Sequence, residues 1–256
     1  MLFCLKGYMS KLTAGIIVIG DEILSGRTQD TNSNFMSKQL IQAGIKLDEI
    51  RVIQDNRDSI IQNILHFHKT YTYVFTTGGI GPTHDDITSE SISSAFNEKY
   101  CFHPKAFKIL EEHYPKGEFN EGRQKMAKMP ENAKLIINPL TAAPGFVIKN
   151  VYVLPGVPEI MQKMFVSLLR IIEKGSPKKT ITLNTNLYES TIAIGLATIQ
   201  NKYLDCSIGS YPYFNYINKT SGVHIVVSSW SLNNLDNIVE EIKKMILLLG
   251  GKSSIV

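Results

Sequence analysis

Cysteine is scarce in this chain. The three among 256 residues, Cys4, Cys101 and Cys206, lie far apart with no C-x-x-C pair. Such spacing argues against a disulfide framework and against structural zinc, and isolated thiols fit a reducing compartment, so cytoplasm is the expected location. Long apolar runs are also missing. No stretch reaches the roughly 18 uninterrupted apolar residues of a membrane helix. The opening "MLFCLKGYMSK" is too short for a signal h-region, and Met9 stands as an alternative start. No basic tract occurs either: 27 Lys and Arg against 23 Asp and Glu leave a net +4 spread along the chain, which gives nucleic acid little to hold. Small anionic ligands remain open. An apolar content of 43% and a charged content of 20% describe a globular protein large enough to bury a real core.

What is present is an alternation of strand and helix patterns. "AGIIVIG", Ala14 to Gly20, is an apolar β-branched run closed by glycine, as a strand buried on both faces requires. After a polar loop, Asn32, Met36, Leu40 and Ala43 recur at helical spacing; Asp30 or Thr31 can cap the start and Gly44 fits the C′ position. "LDEIRVI" then alternates as a strand. Ile60, Ile61, Ile64, Leu65 and His68 form a helical stripe behind the possible caps Asp55 and Asp58, and "YTYVFTT" is a third strand. Helical spacing follows from Thr88 through Phe96, and again from Pro104 through "EGRQKMAKM". "AKLIIN" and the pair "GFVIKNVYVL", turning at Lys149 and Asn150, add strands before a closing helix in "PEIMQKMFVSLLRII". The order predicts an α/β fold with a mostly parallel sheet in three layers. "EKGSPKK", Glu173 to Lys179, reads as a linker. Beyond it, a βαββα order predicts a small α+β subdomain. The expected domains span 12–172 and 180–256.

In parallel sheets, ligands sit beyond the carboxyl ends of the strands. Two loops there carry unusual chemistry. In the first, Asp21 and Glu22 directly follow a buried strand, and Asp30, Thr31, Asn32 and Ser33 gather at a helix start, with Ser25 and Gly26 between them. Oxygen donors of this kind suit magnesium or manganese, and helix-terminal amides suit a phosphate; a plain helix cap with two solvated acids accounts for the same pattern. The second loop is "TTGGIGPTHDD", Thr76 to Asp86. Gly78, Gly79 and Gly81 allow positive φ and close backbone approach, an anion nest beside Thr83, Asp85 and Asp86. A glycine turn with one acid near the helix N-terminus explains one aspartate; it leaves three glycines, Pro82 and the second aspartate over, which favours the functional reading. No Walker A sequence and no complete dinucleotide fingerprint is present. His66 and His68 sit two apart on a helix and do not form a metal pair, and His84 is a loop residue with at most an auxiliary role. The third loop, "NPLTAAPGF" with Pro144 and Gly145, can be a wall beside a planar ligand or an ordinary connector.

Taken in order, "GDEILSGRTQDTNS", "TTGGIGPTHDDIT", "RQKMAKMPENAKLIINPLTAAPGF" and "VLPGVPEIMQKMF" resemble the molybdopterin-binding-like domain of the competence/damage-inducible protein A (CinA) family, over most of residues 14 to 172. "LYESTIAIGLATIQNKY" and "SIGSYP" resemble the small segment that follows it in that family. The resemblance implies a three-layer fold with a cleft for a phosphorylated, ring-bearing ligand. It also implies metal-dependent hydrolysis of an ADP-ribose-like or FAD-like pyrophosphate, with non-hydrolytic binding of molybdopterin or a related ligand as the alternative. The catalytic candidates are Asp86, Asp85 and Asp30, and the metal candidates, for magnesium, manganese or cobalt, are Asp21, Glu22 and Asp86. For substrate they are Gly78, Gly79, Gly81, Thr83, Ser25, Gly26, Thr31, Asn32, Pro144 and Gly145. The expected partner is a small phosphorylated nucleotide or pterin, the expected assembly a homo-oligomer, and neither nucleic acid nor membrane is expected. The third loop departs from the family's N-P-x-G-T-A-P-G-F: Thr141 and Ala142 replace glycine and threonine, so strain is expected at Thr141 and a hydroxyl is lost at Ala142. The sequence ends at Val256 without the family's C-terminal amidase segment, so nicotinamide-nucleotide deamidation is not assigned.

Overall fold

A computed structural model describes residues 12–215, 220–230 and 234–256; Cys4 and Met9 lie outside the described residues. The chain divides into two compact units between Gly175 and Ser176.

In the first unit, β1 (Thr13–Ile19) runs into a one-turn helix α1 (Asp21–Leu24), then α2 (Asn32–Gln42), β2 (Lys46–Ile53), α3 (Arg57–Thr70) and β3 (Tyr73–Thr77). After the glycine loop come α4 (Thr88–Ala95), β4 (Tyr100–Phe102), α5 (Pro104–His113), α6 (Glu121–Lys125), β5 (Lys128–Pro130), β6 (Lys134–Ile136), β7 (Gly145–Ile148), β8 (Val151–Leu154) and α7 (Pro158–Leu168). Six strands form one sheet in the order β2-β1-β3-β8-β7-β6, parallel from β2 to β8 and antiparallel at β7 and β6.

The all-apolar run of β1 is explained by two covered faces. Ala14, Ile16 and Val18 pack with Met36 and Leu40 of α2 and Met164 and Phe165 of α7, whereas Ile17 and Ile19 pack with Ile60, Ile64 and Phe67 of α3 and with Ile92 and Leu110. These are the three layers the alternation predicted. Three local expectations are corrected. The polar loop after β1 begins as a helical turn, because Asp21 and Glu22 favour a helix start. The α6 helix stops at Lys125, since Lys128–Pro130 pairs instead with Tyr100–Phe102 in a separate two-stranded sheet. The cap of α3 is Asn56, whose side chain accepts from the Ser59 amide at 3.0 Å, rather than Asp55 or Asp58. Asn56→Ala is therefore expected to lower the unfolding free energy by about 1 kcal/mol in a urea titration.

The second unit runs β9 (Lys179–Thr185), α8 (Glu189–Lys202), β10 (Cys206–Asn215), β11 (Thr220–Ser229), α9 (Leu235–Leu248) and β12 (Ser253–Ile255). Its sheet order is β10-β11-β9-β12, every pair antiparallel. Leu183, Val223, Ile225 and Val227 meet Ile192, Leu196, Ile238 and Ile242 on one face. The closing strand β12 extends the expected βαββα order to βαββαβ, the split βαβ arrangement.

Candidate functional site

From β1 the chain moves outward to β2 and then returns to the other side of β1 as β3, so the strand order reverses between β1 and β3. That switch point is where open α/β sheets bind ligands. The loops at its mouth are the two the sequence singled out. They enclose a cleft of about 450 Å³ that the third loop also borders, lined by Glu22, Gly78, Gly79, Gly81, Asp86 and Pro144 among others. A recess of about 60 Å³ adjoins it, lined by Glu22, Gly78 and Gly156 together with Asp30, Thr31 and Asn32.

The three glycines of the loop have different jobs. Gly78 has φ +108°, and a β-carbon there would stand 2.0 Å from the Ile19 carbonyl oxygen. Its amide donates to the Leu154 carbonyl at 3.2 Å, so Gly78 locks the loop to the sheet instead of offering a donor to a ligand. Gly79 has φ +68°, and a β-carbon would meet the Thr88 hydroxyl at 2.2 Å. Gly81 lies against Asp86, whose carboxylate would be 2.7 Å from an added β-carbon. Among the described residues, no protein acceptor takes the amides of Gly79, Ile80 or Gly81. Three successive free amides in a turn of positive and negative φ make an anion-binding nest.

The acids are organised around a residue that was read from sequence only as a cap. Asp55, just past β2, accepts the Asp21 amide at 3.0 Å, and its other oxygen lies 3.5 Å from the β-carbon position of Gly79. Burial raises its pKa, and the nearby carboxylates of Glu22, Asp21 and Asp85 raise it further, against the lowering effect of the Asp21 amide. A raised folded-state pKa means that the proton is held more tightly in the folded than in the unfolded chain. The associated stabilisation is complete at acid pH and is lost as pH rises through the folded value. Asp55→Asn, which keeps an oxygen to accept the Asp21 amide, is thus expected to melt higher than the parent at pH 7, with the gain vanishing as pH falls below the ordinary aspartate range near about 4. Thermal melts across pH check this.

Asp86 is half-buried, and one of its oxygens accepts both the Thr83 amide (2.8 Å) and the Thr83 hydroxyl (2.6 Å). Lys125 of α6 donates to the Thr83 carbonyl, which places a cation beside the loop. Asp85 and His84 are exposed, and neither lines the cleft. Among the described residues no group of three His, Cys, Asp or Glu side chains converges to hold a metal ion. The donors that lie near one another are carboxylates, the oxygen-ligand type that hard cations take.

In the first loop, Asp30 caps α2 by accepting the Ser33 amide at 3.0 Å and the Ser33 hydroxyl, while the Thr31 side chain makes no cap bond. Asn32 is 6% exposed, and its amide donates to Thr77 Oγ1 (2.9 Å) and to the Gly156 carbonyl (2.8 Å), tying α2 to β3 and to the loop after β8. Its carbonyl oxygen and the hydroxyl of Thr88 are buried without a partner. A buried polar atom left unpaired costs about 1–3 kcal/mol, and both lie at the site. Ser25 and Gly26 are exposed in the turn after α1 and line neither hollow; Gly26 has nothing within 4 Å of its β-carbon position. Asp21 also lines neither. Gly145 is buried in β7, where a β-carbon would strike the Val153 carbonyl at 2.3 Å, so it permits strand packing. In the third loop the left-handed residue is Ala142, φ +63°, not Thr141. Thr141 and the other polar groups are gathered by Asn138, which donates to Thr141 Oγ1 (2.7 Å) and to the Ala143 carbonyl (2.9 Å).

The architecture and this loop order match the family described as "Probable molybdopterin binding domain" over residues 15–174. The chain belongs to that family. The second unit also matches the family "FAD synthase, middle domain" over residues 178–248. A protein of Archaeoglobus fulgidus is 36% identical over 202 residues, covering 79% of this chain and 86% of its own length. A "Probable FAD synthase" of Caenorhabditis elegans is 31% identical over 91% of this chain, which spans about half (50%) of that relative. The solved structure of the protein CinA with unknown function from Thermoplasma acidophilum is 31% identical with a TM-score of 0.59, covering 62% of this chain and 96% of that one. The likeness of the four motifs to the CinA family agrees with that structure. No helix among the described residues is long and apolar enough to cross a membrane.

Asp55, Lys125, Asn138 and Gly156 were missed as site residues. Asp55 sits directly after a strand, as Asp21 does, and that parallel was the available signal. Lys125 and Asn138 reach the site by tertiary folding, for which the local pattern has no mark.

Proposed function

We propose that the cleft binds a phosphorylated, ring-bearing ligand and hydrolyses a nucleotide pyrophosphate of the ADP-ribose or FAD type. The observation that carries this reading is the nest of free amides at Gly79, Ile80 and Gly81, which lines one cleft together with the carboxylates of Glu22 and Asp86. Amides without acceptors suit phosphate oxygens. Carboxylates beside them would repel such a ligand unless a cation lies between, and Glu22 and Asp86, with Asp21 and Asp55 behind, are the residues that would hold magnesium, manganese or cobalt. A bound cation of this kind supplies charge neutralisation at the phosphoryl oxygens. For its own part, the chain positions the pyrophosphate on the nest, Lys125 adds positive charge beside the loop, and Asn32 fixes the floor. Asp55, which lines neither hollow, supports the site from behind by accepting the Asp21 amide.

The experiment is to incubate the purified chain with ADP-ribose and with FAD, adding each divalent ion in turn, and to assay AMP. AMP formation supports the reading; a folded protein that binds either compound without releasing AMP under any ion overturns the hydrolytic part. A second reading is non-hydrolytic binding of a molybdopterin-like ligand. It is favoured by Asp86, whose oxygen already holds Thr83 in the loop and to that extent has a structural task. Calorimetric binding without turnover would select it.

A further inference from the structure

Register places the two faces of the second unit's sheet in sharp contrast. One is covered by α8 and α9. On the other stand Tyr211 opposite His224, Tyr213 opposite Gly222, and Asn184 opposite His224. Two glycines let the tyrosine rings lie along this face. A β-carbon at Gly209 would come within 3.0 Å of the Tyr211 ring and its hydroxyl, and one at Gly222 within 2.8 Å of the Tyr213 hydroxyl. Tyr213 thus reaches across β11 to donate to Asn184 Oδ1 at 3.0 Å. Its ring also stacks on His224, centroids 4.5 Å apart and planes 23° apart, and His224 Nδ1 is buried with no partner. Tyr211 is 58% exposed.

The Tyr211 ring thus lies over Gly209 while remaining exposed, and planar heteroaromatic compounds stack on exposed aromatic rings. The geometry points to a second binding site on this sheet face, for a planar heteroaromatic ring of the flavin or nucleobase type, stacked on Tyr211 and bordered by the Tyr213–His224 pair. Asn184 supplies a polar group at its edge. The register places no Lys or Arg on the β9, β10 and β11 positions of this face, which run through Thr180, Thr182 and Asn184, Ser207 to Tyr213, and Gly222 to Ser228. That composition suits an uncharged ring and offers no track for a nucleic-acid backbone.

Riboflavin and adenosine carry the two rings without a phosphate, so they cannot use the amide nest of the glycine-loop cleft. Titrating the full chain into riboflavin is expected to give saturable fluorescence quenching, with adenosine competing if the face accepts nucleobases and failing to compete if it is flavin-selective. Tyr211→Ala should weaken binding about tenfold or more, Tyr211→Phe should retain it, and Gly81→Ala in the first unit should leave it unchanged. Tyr211→Leu, an apolar side chain without a ring, provides the same test should the alanine variant fold poorly. The proposal is overturned if neither compound binds saturably, if Tyr211→Leu binds as the parent does, if Gly81→Ala abolishes quenching, or if only single-stranded RNA binds.

Discussion

Asp86→Asn is expected to cut AMP release from ADP-ribose or FAD by about 100-fold or more while leaving the melting temperature within about 2 °C of the parent. The two halves of this expectation come from the two oxygens of one side chain. One accepts the amide and hydroxyl of Thr83, and the asparagine carbonyl can take both bonds, so the loop keeps its shape. What asparagine removes is the negative charge that faces the cleft beside Gly81. Steady-state turnover and a thermal melt on the same sample check the claim. Undiminished turnover would take Asp86 out of the chemistry and leave it as a loop clip; a large drop in melting temperature would show that its charge, not its hydrogen bonds, holds the loop. Gly81→Ala complements this test, because its β-carbon would press on the Asp86 carboxylate at 2.7 Å without any demand for positive φ. It should lower activity through displacement of Asp86, with a smaller effect on stability.

The central layers of the fold were legible because a parallel strand covered on both sides is apolar along most of its length, and such runs are conspicuous. β1 and β3 are of this kind: Ile16 to Ile19 are all buried, as are Val74 and Phe75. Short edge elements leave a weaker trace. Lys128–Pro130 pairs with Tyr100–Phe102 through only three residues, and the preceding helical composition of "EGRQKMAKM" masks it. β12 is three residues long and wholly exposed, so hydrophobic pattern has nothing to report there. For the site, the loops were found but their division of labour was not. Nothing local to "TTGGIGPTHDD" distinguishes Gly78, which locks the loop onto β1 and β8, from Gly79 and Gly81, which leave amides free. Asp55 escaped for a related reason: an aspartate just before a helix looks like a cap, and only the backbone path, which makes Asn56 the cap and gives Asp55 to the Asp21 amide, separates the two roles.

That division of labour yields the largest expected effect on folding. Gly78→Ala is expected to destabilise the first unit by about 3 kcal/mol or more, seen as a drop in melting temperature of about 6–12 °C. Two costs add. At φ +108° an alanine is forced into backbone space that L-residues rarely occupy. Its methyl group would also stand 2.0 Å from the Ile19 carbonyl oxygen, a backbone atom of the central strand that has no freedom to retreat. Relief requires the loop to lift from the sheet, which breaks the Gly78 amide bond to the Leu154 carbonyl and opens the floor shared by the cleft and the recess. Loss of ligand binding should therefore accompany loss of stability in this variant, whereas Gly26→Ala, also at positive φ (+72°) but with open space around its β-carbon, should cost only about 1 kcal/mol and leave binding intact. Melting curves of the two variants decide the matter. Equal losses would mean that backbone conformation alone matters at Gly78; a much larger loss there assigns the difference to the contact between the glycine loop and the end of β1.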